Sequence, residues 1–349
     1  MDDPFLTALV TAPGPPGFED EVRRLLRSAL GDRVVEDTIG NLLLRVGTGH
    51  PRVVFCAHMD TVGLLAVGLD DDGAVRFRPL GRVDEAILPG RHVRILTPRG
   101  LVPGVIGIAP PHLREGGGTG AGWRDLAIDI GATDRREAEA LGVRPPLPAA
   151  FAADFFEMQE HWVGRGVGDR LCCYLLVRLA RRLQADPPRA SVTLAWTAQN
   201  EVGMRGARAL AARREHDVAV HLAAFGTTEE VSPDPPTSYV QVGQGPVIRA
   251  RAGDALASPQ AVAWVERAAA AADIRLQLGF TAGESEATLF QETGAIGISL
   301  NLAVRYLHTD VEIVARQDVV ALERLLEQLV DHLHQIPGRS DGIDDHSDC

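Results

Sequence analysis

Hydrophobic positions along the chain alternate between runs at helical spacing and short β-rich runs. Residues 18–30, FEDEVRRLLRSAL, place apolar side chains at helical spacing, whereas NLLLRVG and RVVFCAHMD have the pattern of buried strands. The same alternation resumes after Trp162, from RLCCYLLVRLARRLQ to VVALERLLEQLVDHLHQI. Helices that alternate with strands predict an α/β fold, with a phosphorylase/hydrolase-like sheet flanked by helices.

A different pattern occupies residues 62–161. Short alternating runs such as AVRFRPLG, HVRILTPRG and DLAIDIG are separated by glycine and proline, which is typical of a small β-barrel or sandwich. Because helix–strand alternation lies on both sides, the pattern predicts a β-barrel inserted into an α/β domain of residues 1–61 and 162–336. The polar residues 337–349 are expected to form a disordered tail.

The composition excludes several classes of function. With 45% hydrophobic and 23% charged residues the chain is ordinary for a globular protein, and its formal net charge of -12 argues against nucleic acid or an anionic membrane as partner. No lysine occurs, which excludes lysine Schiff-base chemistry. The cysteines lack zinc-ribbon or disulfide spacing, and neither a signal peptide nor an apolar run of spanning length is present, so we expect a cytoplasmic protein.

Side chains suited to metal binding follow two of the predicted strands. His58 ends the strand RVVFCAHMD and Asp60 lies two residues on, on the same side, where ligands collect in open α/β sheets. A metal-binding histidine with an orienting carboxylate has this pattern, and so does a buried pair without a metal. Glu201 follows the strand SVTLAWTA in the same way.

Two further histidines lie near the ends of later strands. His221 is surrounded by apolar residues in VAVHLAAF, where local sequence alone favours a core histidine bonded to the backbone. His308, in RYLHTDVE, follows AIGISLNL and lies near Arg305, a candidate clamp for a carboxylate. Three histidines and a glutamate at strand ends suit zinc or a similar borderline metal.

Taken together, these segments resemble the glutamyl aminopeptidase (tetrahedral aminopeptidase) family of two-metal peptidases. The resemblance runs in order along almost the whole chain, through APGPPGFE, GNLLL, AHMDTVG, GVIGIAPPH, LAIDIGATDRREAEALGV, GDR, QNEVGMRGA, GQGPVIRA and RYLHTDVE. It implies an α/β catalytic domain, an inserted β-barrel that serves dimerisation, and assembly of dimers into hollow dodecamers.

The resemblance also implies a role for each matched residue. His58 matches the histidine of the first metal and Asp60 the aspartate that orients it. Glu201 matches the glutamate of the second metal, and His308 matches the final histidine. His221 stands at the place of the remaining metal-binding aspartate, so one good ligand type has replaced another.

Other positions depart from the family pattern more sharply. Gly168 stands where the aspartate that bridges both metals is expected, which leaves only Asp169 of the acidic pair. Asn200 stands where the general-base glutamate is expected; it cannot accept a proton, although it can donate a hydrogen bond to an oxyanion. Ser285 and Glu286 replace a Thr-Asp pair, which is a milder change.

The missing bridge argues against a stable pair of metals, because shared carboxylates offset the repulsion between two divalent cations. We therefore expect one divalent metal, zinc or else iron, nickel, manganese or cobalt. The candidate residues are Asp60, Asp169 and Asn200 for catalysis, His58, Glu201, His221 and His308 for the metal, and Arg305 and Glu286 for the substrate.

Three functions follow from this altered site. The first is a remodelled single-metal enzyme that acts on an amino-acid- or peptide-like substrate by non-standard chemistry, which we favour because the site has changed as a unit. The second is an active metal-dependent aminopeptidase, and the third is a non-catalytic scaffold or binding protein. In each case a homo-oligomer, either a dimer or a dodecamer, is expected from the family.

Overall fold

The computed structural model describes residues 3–108, 110, 112, 122–227 and 240–336. The expected tail of residues 337–349 lies outside them. At the start of the chain, Asp3 Oδ1 accepts a hydrogen bond from Phe5 N at 2.9 Å and caps the first helix. The α-helices are α1 (Pro4–Thr11), α2 (Asp20–Leu30), α3 (Arg135–Ala140), α4 (Val167–Ala185), α5 (Arg205–Ala211), α6 (Pro259–Ala271), α7 (Glu286–Glu292) and α8 (Arg316–Asp331).

Strands alternate with these helices outside one long β-rich stretch. The strands are β1 (Val35–Glu36), β2 (Leu42–Val46), β3 (Gly49–His58), β4 (Gly63–Leu69), β5 (Val75–Leu80), β6 (His92–Thr97), β7 (Gly100–Ile106), β8 (Ile128–Asp129), β9 (Leu147–Phe151), β10 (Phe155–Met158), β11 (His161–Gly164), β12 (Ala190–Thr197), β13 (Val218–Gly226), β14 (Val247–Ala252), β15 (Ala255–Leu256), β16 (Gln277–Thr281), β17 (Ile296–Val304) and β18 (Glu312–Ala315).

Within the described residues, nine strands form one large sheet. Their order is β1-β2-β12-β3-β13-β17-β14-β15, and β16 also pairs with β14. The central strands β12, β3, β13 and β17 are parallel, whereas β2 and β14 pair with them in the antiparallel sense. Parallel strands need cover on both faces, which explains why all of β12 and the last six residues of β3 are buried.

Helices cover this sheet on both faces. In β3, Val53, Phe55 and Ala57 belong to the larger core, to which α1, α2, α4, α6 and α8 contribute. Val54 and Cys56 point to the opposite face, against α5 and α7. The predicted α/β sheet flanked by helices is therefore confirmed.

The β-rich stretch folds into a closed barrel of six strands, in the order β4-β5-β8-β7-β6-β9 within the described residues. Alternate side chains fill its interior, because successive residues of a strand face opposite sides. In β5, for example, Val75 and Phe77 are buried and Arg76 is exposed. The predicted β-barrel is confirmed by this closure.

The strands that follow the barrel lie outside it. β10 pairs with β11, and β11 pairs with β18 in a separate sheet of three strands within the described part of the chain. The domain limits 1–61, 62–161 and 162–336 stay predictions. None of the described helices is long and apolar enough to cross a membrane.

Candidate active site

A cavity opens where the carboxyl ends of β3, β12 and β13 lie side by side next to the start of α4. In an open α/β sheet this edge is where ligands bind, because the loops that leave parallel strands meet there. The cavity has a volume of about 470 Å³. Its polar and charged lining residues are His58, Arg82, Asp169, Asn200, Glu201, His221, Thr227, Arg249, Thr281, Glu284 and His308.

His58, at the end of β3, faces Asp169 in the first turn of α4. The distance from His58 Nε2 to Asp169 Oδ1 is 3.2 Å, and His58 Nδ1 lies 3.1 Å from the carbonyl oxygen of Asp60. Burial alone would lower the pKa of His58, but the carboxylates of Asp169 and Asp60 raise this pKa well above its ordinary value. Despite burial, His58 and the amide of Ala224 hold the pKa of Asp169 well below its ordinary value.

The neighbouring position 168 is tightly packed. A Cβ added to Gly168 would lie 2.7 Å from Val304 Cγ2 and 2.8 Å from Ala224 Cβ, so a side chain there would enter packed interior. Asp169, one residue later, points to the cavity instead. The first turn of α4 therefore still supplies one carboxylate to the site.

The Asp60 carboxylate holds the turn after β12. Its Oδ1 accepts a hydrogen bond from Asn200 N at 2.9 Å and its Oδ2 accepts one from Glu201 N at 2.8 Å. Asp60 is completely buried, and carboxylate acceptors make the stronger kind of hydrogen bond. The turn that presents Asn200 and Glu201 is thus fixed by a side chain that follows the neighbouring strand β3.

Two residues that sequence reasoning missed complete this support. Asn41 Oδ1 accepts from Ala198 N at 2.9 Å, and Glu19 Oε1 accepts from Gln199 N at 3.0 Å. Gln199 has a φ of 58°, a left-handed conformation that needs such support in a residue other than glycine. Both acceptors lie in motifs already noted, APGPPGFE and GNLLL, but nothing local connects them to the turn.

Glu201 and His308 form the second facing pair of the cavity. The distance from His308 Nε2 to Glu201 Oε1 is 3.7 Å. Burial raises the pKa of Glu201 to about 7 and lowers the pKa of His308. His308 has a φ of 66°, and its amide donates to Glu312 Oε1 at 2.8 Å. Burial and then Asp169 raise the pKa of Glu312 to about 8.

His221 also lines the cavity, but both of its ring nitrogens face protein groups. Nδ1 lies 3.0 Å from Ser285 Oγ, and Nε2 lies 3.7 Å from Glu286 Oε2 without a hydrogen-bond partner. Burial lowers the pKa of His221 well below its ordinary value and raises that of Glu286. Glu286 lies behind the cavity wall, where its Oε1 accepts from Thr197 Oγ1 and Asn200 Nδ2.

The donor chemistry at this cavity fits a divalent metal, although the donors are not yet gathered around one point. Imidazoles and carboxylates are the ligands that zinc and similar cations prefer. Among the residues that the structure describes, however, no group of three or more His, Cys, Asp or Glu is arranged to hold a metal ion. Metal binding would therefore require side chains to turn. The predicted ligand set of His58, Glu201, His221 and His308 stays a prediction.

The arginines at the cavity differ from the one that the sequence suggested. Arg305 makes a β-bridge with Ile313 and does not line the cavity, so its role in substrate binding stays a prediction. Arg82 and Arg249 line it instead, and within the described residues neither forms an ion pair with a carboxylate. Burial lowers the pKa of Arg249 to about 10. The fold brings both to the site from distant segments.

Comparisons with known proteins agree on one family. Residues 40–325 match the family model described as M42 glutamyl aminopeptidase. The lysyl aminopeptidase of Pyrococcus furiosus is 28% identical over 347 residues, and the match covers 95% of this chain and 98% of that protein.

Solved structures match over nearly the same length. The TET1 peptidase of Pyrococcus horikoshii, which can assemble into a tetrahedron or a large octahedral shell, is 34% identical with a TM-score of 0.87, and the match covers 93% of this chain and 98% of that one. A TET aminopeptidase from a marine sediment archaeon (Thaumarchaeota) is 28% identical with a TM-score of 0.89, and coverage is 95% and 98%. The shared fold therefore extends over both the sheet and the barrel.

Proposed function

The chain belongs to the M42 glutamyl aminopeptidase family, as its motifs predict, and we propose that it is a metal-dependent enzyme that releases the N-terminal residue of peptides. The observation that supports this most is the position of Asp169, whose Oδ1 lies 3.2 Å from His58 Nε2 at the cavity. Asp169 supplies the site with a carboxylate that Gly168 cannot. This support favours retained hydrolysis over a purely structural role.

Our proposal places a single divalent ion among His58, Asp169, Glu201 and His308. Two imidazoles and two carboxylates suit zinc or a similar cation. When bound, such an ion supplies Lewis acidity at a peptide carbonyl. His221 is left out of this set because its ring nitrogens face Ser285 and Glu286, neither of which lines the cavity.

Metal content and peptidase activity of the purified protein test this proposal. We expect one bound divalent ion per chain, with hydrolysis of peptides that have a free N-terminus and no hydrolysis of N-acetylated peptides. Asp169→Asn removes a ligand charge and should lower both metal content and activity, the latter by roughly 100-fold. The exposed Asp254 gives a matched control, Asp254→Asn, which should change neither.

Each part of the proposal has its own contrary result. Two metals per chain would contradict the single-metal site, and full activity of Asp169→Asn would contradict the ligand set. A protein that binds no metal and cleaves no peptide would favour a scaffold or binding protein.

The two arginines suggest which peptides the cavity accepts. Arg249 donates to the carbonyl oxygens of Glu284 and Ala224, and its Nε has no partner in the described residues. A buried cation without a carboxylate favours an anionic group on the ligand. We therefore propose a preference for an acidic N-terminal side chain, with Arg82 as a second cation that lines the cavity.

Matched substrates measure this preference. Glutamyl and glutaminyl peptides differ by one charge, so the ratio of their kcat/KM values isolates the electrostatic contribution. We expect the ratio to favour the glutamyl peptide and to fall by about tenfold or more in Arg249→Met, which removes the charge and keeps an unbranched apolar side chain. An unchanged ratio would remove Arg249 from substrate recognition.

One observation favours a second candidate, the remodelled enzyme with non-standard chemistry. Asn200 lies where a general base is expected, and an amide cannot take up a proton. A chain that binds metal and small amino-acid derivatives but cleaves no peptide bond would support this candidate. Screening esters, amides and N-substituted amino acids against the metal-loaded protein separates the two.

We further propose a homo-oligomer, either a dimer or a dodecamer. The barrel strands carry exposed apolar side chains, among them Val67, Leu101 and Val105, and exposed apolar surface of this kind suits contact with a second copy. Light scattering coupled to size-exclusion chromatography gives the number of copies. A cytoplasmic location stays a prediction.

A further inference from the structure

The amide group of Asn200 has a fixed orientation. Its Nδ2 donates to Glu286 Oε1 at 2.9 Å, and Thr197 Oγ1 donates to the same oxygen at 2.7 Å. That oxygen already accepts two hydrogen bonds, so a proton on the carboxyl group would lie on Oε2. The end of the Asn200 amide that faces Glu286 must then be its NH₂ group.

The other end of the amide is left for the cavity. Asn200 lines the cavity, and among the described residues no donor reaches its Oδ1. The backbone is held as well, because Asn200 N donates to Asp60 Oδ1 at 2.9 Å. Both the position of the side chain and the direction of its carbonyl group are therefore set by buried carboxylates.

Glu286 is suited to this task by its surroundings. Its side chain is completely buried, and it does not line the cavity, so it cannot contact a bound peptide directly. Its Oε2 lacks a hydrogen-bond partner and lies 3.7 Å from the equally unpartnered Nε2 of His221. An unpartnered buried carboxylate oxygen lowers the stability of the fold, which favours a functional reason for keeping Glu286 beside Asn200.

We infer that Glu286 is a positioning residue that makes Asn200 a hydrogen-bond acceptor toward the substrate, where its Oδ1 binds the α-ammonium group of an N-terminal residue. This inference rests on the proposed aminopeptidase activity. It reverses the donor role that the sequence suggested for Asn200, because Nδ2 faces Glu286 and leaves Oδ1 as the end of the amide toward the cavity. Glu286 would thus affect substrate binding through Asn200, without contacting the substrate itself.

A double-mutant cycle on Asn200 and Glu286 tests the inference. Asn200→Ala should raise KM for an unblocked peptide by about tenfold, the effect of one hydrogen bond to a charged group, and leave kcat nearly unchanged. Glu286→Gln should raise KM less, and the double variant should equal Asn200→Ala because Glu286 acts through Asn200. Additive effects, or a loss confined to kcat, would overturn the inference.

Inhibitors that differ only in the amine identify the group that Asn200 binds. Leucinamide should inhibit the wild-type enzyme more strongly than 4-methylpentanamide, which lacks the α-amine, and this difference should shrink about tenfold in Asn200→Ala. The surface variant Glu323→Gln, whose side chain pairs with Arg178 far from the cavity, should leave both inhibition constants unchanged. Equal losses for both inhibitors would show that Asn200 does not bind the amine.

Crystal structures of the wild type and of Glu286→Ala provide a measurement that needs no activity. The side chain of Asn200 should rotate away from its wild-type orientation in the variant, with the turn at Asn200 and Glu201 unchanged. An unmoved Asn200 would overturn the positioning role. A wild-type protein that hydrolyses no unblocked peptide would contradict the proposed function, while the crystal structures would still decide whether Glu286 orients Asn200.

Discussion

Two adjacent regions of the site differ in whether their buried polar atoms are hydrogen-bonded. In the turn after β12, four consecutive backbone amides, from Ala198 to Glu201, donate to the side chains of Asn41, Glu19 and Asp60. Behind this turn, Nε2 of His221 and Oε2 of Glu286 lie buried 3.7 Å apart, and neither has a hydrogen-bond partner.

This difference in hydrogen bonding predicts different effects of mutation on stability and on activity. A satisfied buried hydrogen bond contributes about 1 kcal/mol, and removal of its acceptor leaves a donor that costs more. An unsatisfied buried atom stabilises nothing, and its replacement by an apolar atom of similar size is nearly neutral. Changes in the turn should therefore cost both stability and activity, whereas the loss of the unpartnered Nε2 of His221 should mainly affect activity.

Asp60→Asn attacks the satisfied turn most directly. One carboxylate oxygen becomes an NH₂ group that faces a backbone N–H, so one charge-assisted hydrogen bond is lost and a second is weakened. We expect the free energy of unfolding to fall by about 3 kcal/mol and peptidase activity to fall by at least 100-fold. Urea unfolding and kcat/KM measure both effects, with Asp254→Asn as the matched control. A decrease of less than about 1 kcal/mol in the free energy of unfolding would show that the hydrogen bonds of the turn do not stabilise the fold as this comparison assumes.

Gly168→Ala asks whether a side chain can return to the start of α4. The added Cβ would meet Val304 Cγ2 and Ala224 Cβ below 3 Å, and both atoms belong to strands that cannot easily retreat. We expect a loss of about 2 kcal/mol in the free energy of unfolding, the usual cost of an overpacked core. Gly107, around which an added Cβ meets nothing within 4 Å, provides the control Gly107→Ala. Equal stability of both variants would show that position 168 is roomier than this packing implies.

His216 extends the comparison to an unpartnered group outside the site. Both of its ring nitrogens are buried without partners, and burial lowers its pKa to about 4. The folded protein therefore disfavours the charged ring, and the unfolded chain binds the proton more readily. The contribution of neutral His216 is fully present above its ordinary pKa of about 6.5 and is lost as the pH falls toward 4.

The variant His216→Phe should remove this dependence on pH. The difference in free energy of unfolding between the variant and the wild type should shift in favour of the variant by roughly 1–2 kcal/mol when the pH falls from 7 to 5. Thermal unfolding at both pH values measures the difference, and the exposed His92 gives the control His92→Phe. An identical pH profile in His216→Phe and wild type would contradict the assigned role of burial.

His221→Leu is the sharpest test of the unpartnered pair and has the smallest expected effect on stability. Leucine removes Nε2, which has no partner, and Nδ1, which lies 3.0 Å from Ser285 Oγ, so the free energy of unfolding should fall by no more than about 1 kcal/mol, the contribution of one hydrogen bond. Activity should nevertheless fall by about tenfold, because the wall of the cavity changes shape beside Asn200. A loss of about 3 kcal/mol would mean that Nε2 is satisfied in solution, and the two regions would no longer differ.

Much of the fold could be predicted from the sequence because burial leaves a direct pattern. β3 is covered on both faces and therefore reads as an unbroken apolar run, whereas β5 fills a barrel and alternates buried with exposed residues. The shared position of His58, at the end of β3, and Glu201, in the turn after β12, could also be predicted, since parallel strands bring their carboxyl ends to one edge.

The rest depends on contacts that no local pattern contains. Asp169 lines the cavity while Val304 and Ala224 pack against position 168, and these residues are far apart in the chain. Arg249 likewise reaches the cavity through the pairing of β14 with β17. Tertiary packing, not the sequence around each residue, decides which of several polar side chains faces the ligand.

The barrel is part of the cavity itself. Arg82 lies in the segment that leaves the barrel strand β5, and it forms part of the cavity wall. An added Cβ on the preceding residue, Gly81, would lie only 3.0 Å from Glu201 Cβ, so this segment is seated directly against a site residue. A shortened chain without the barrel would therefore lose the segment with Gly81 and Arg82 and leave the cavity open on one side.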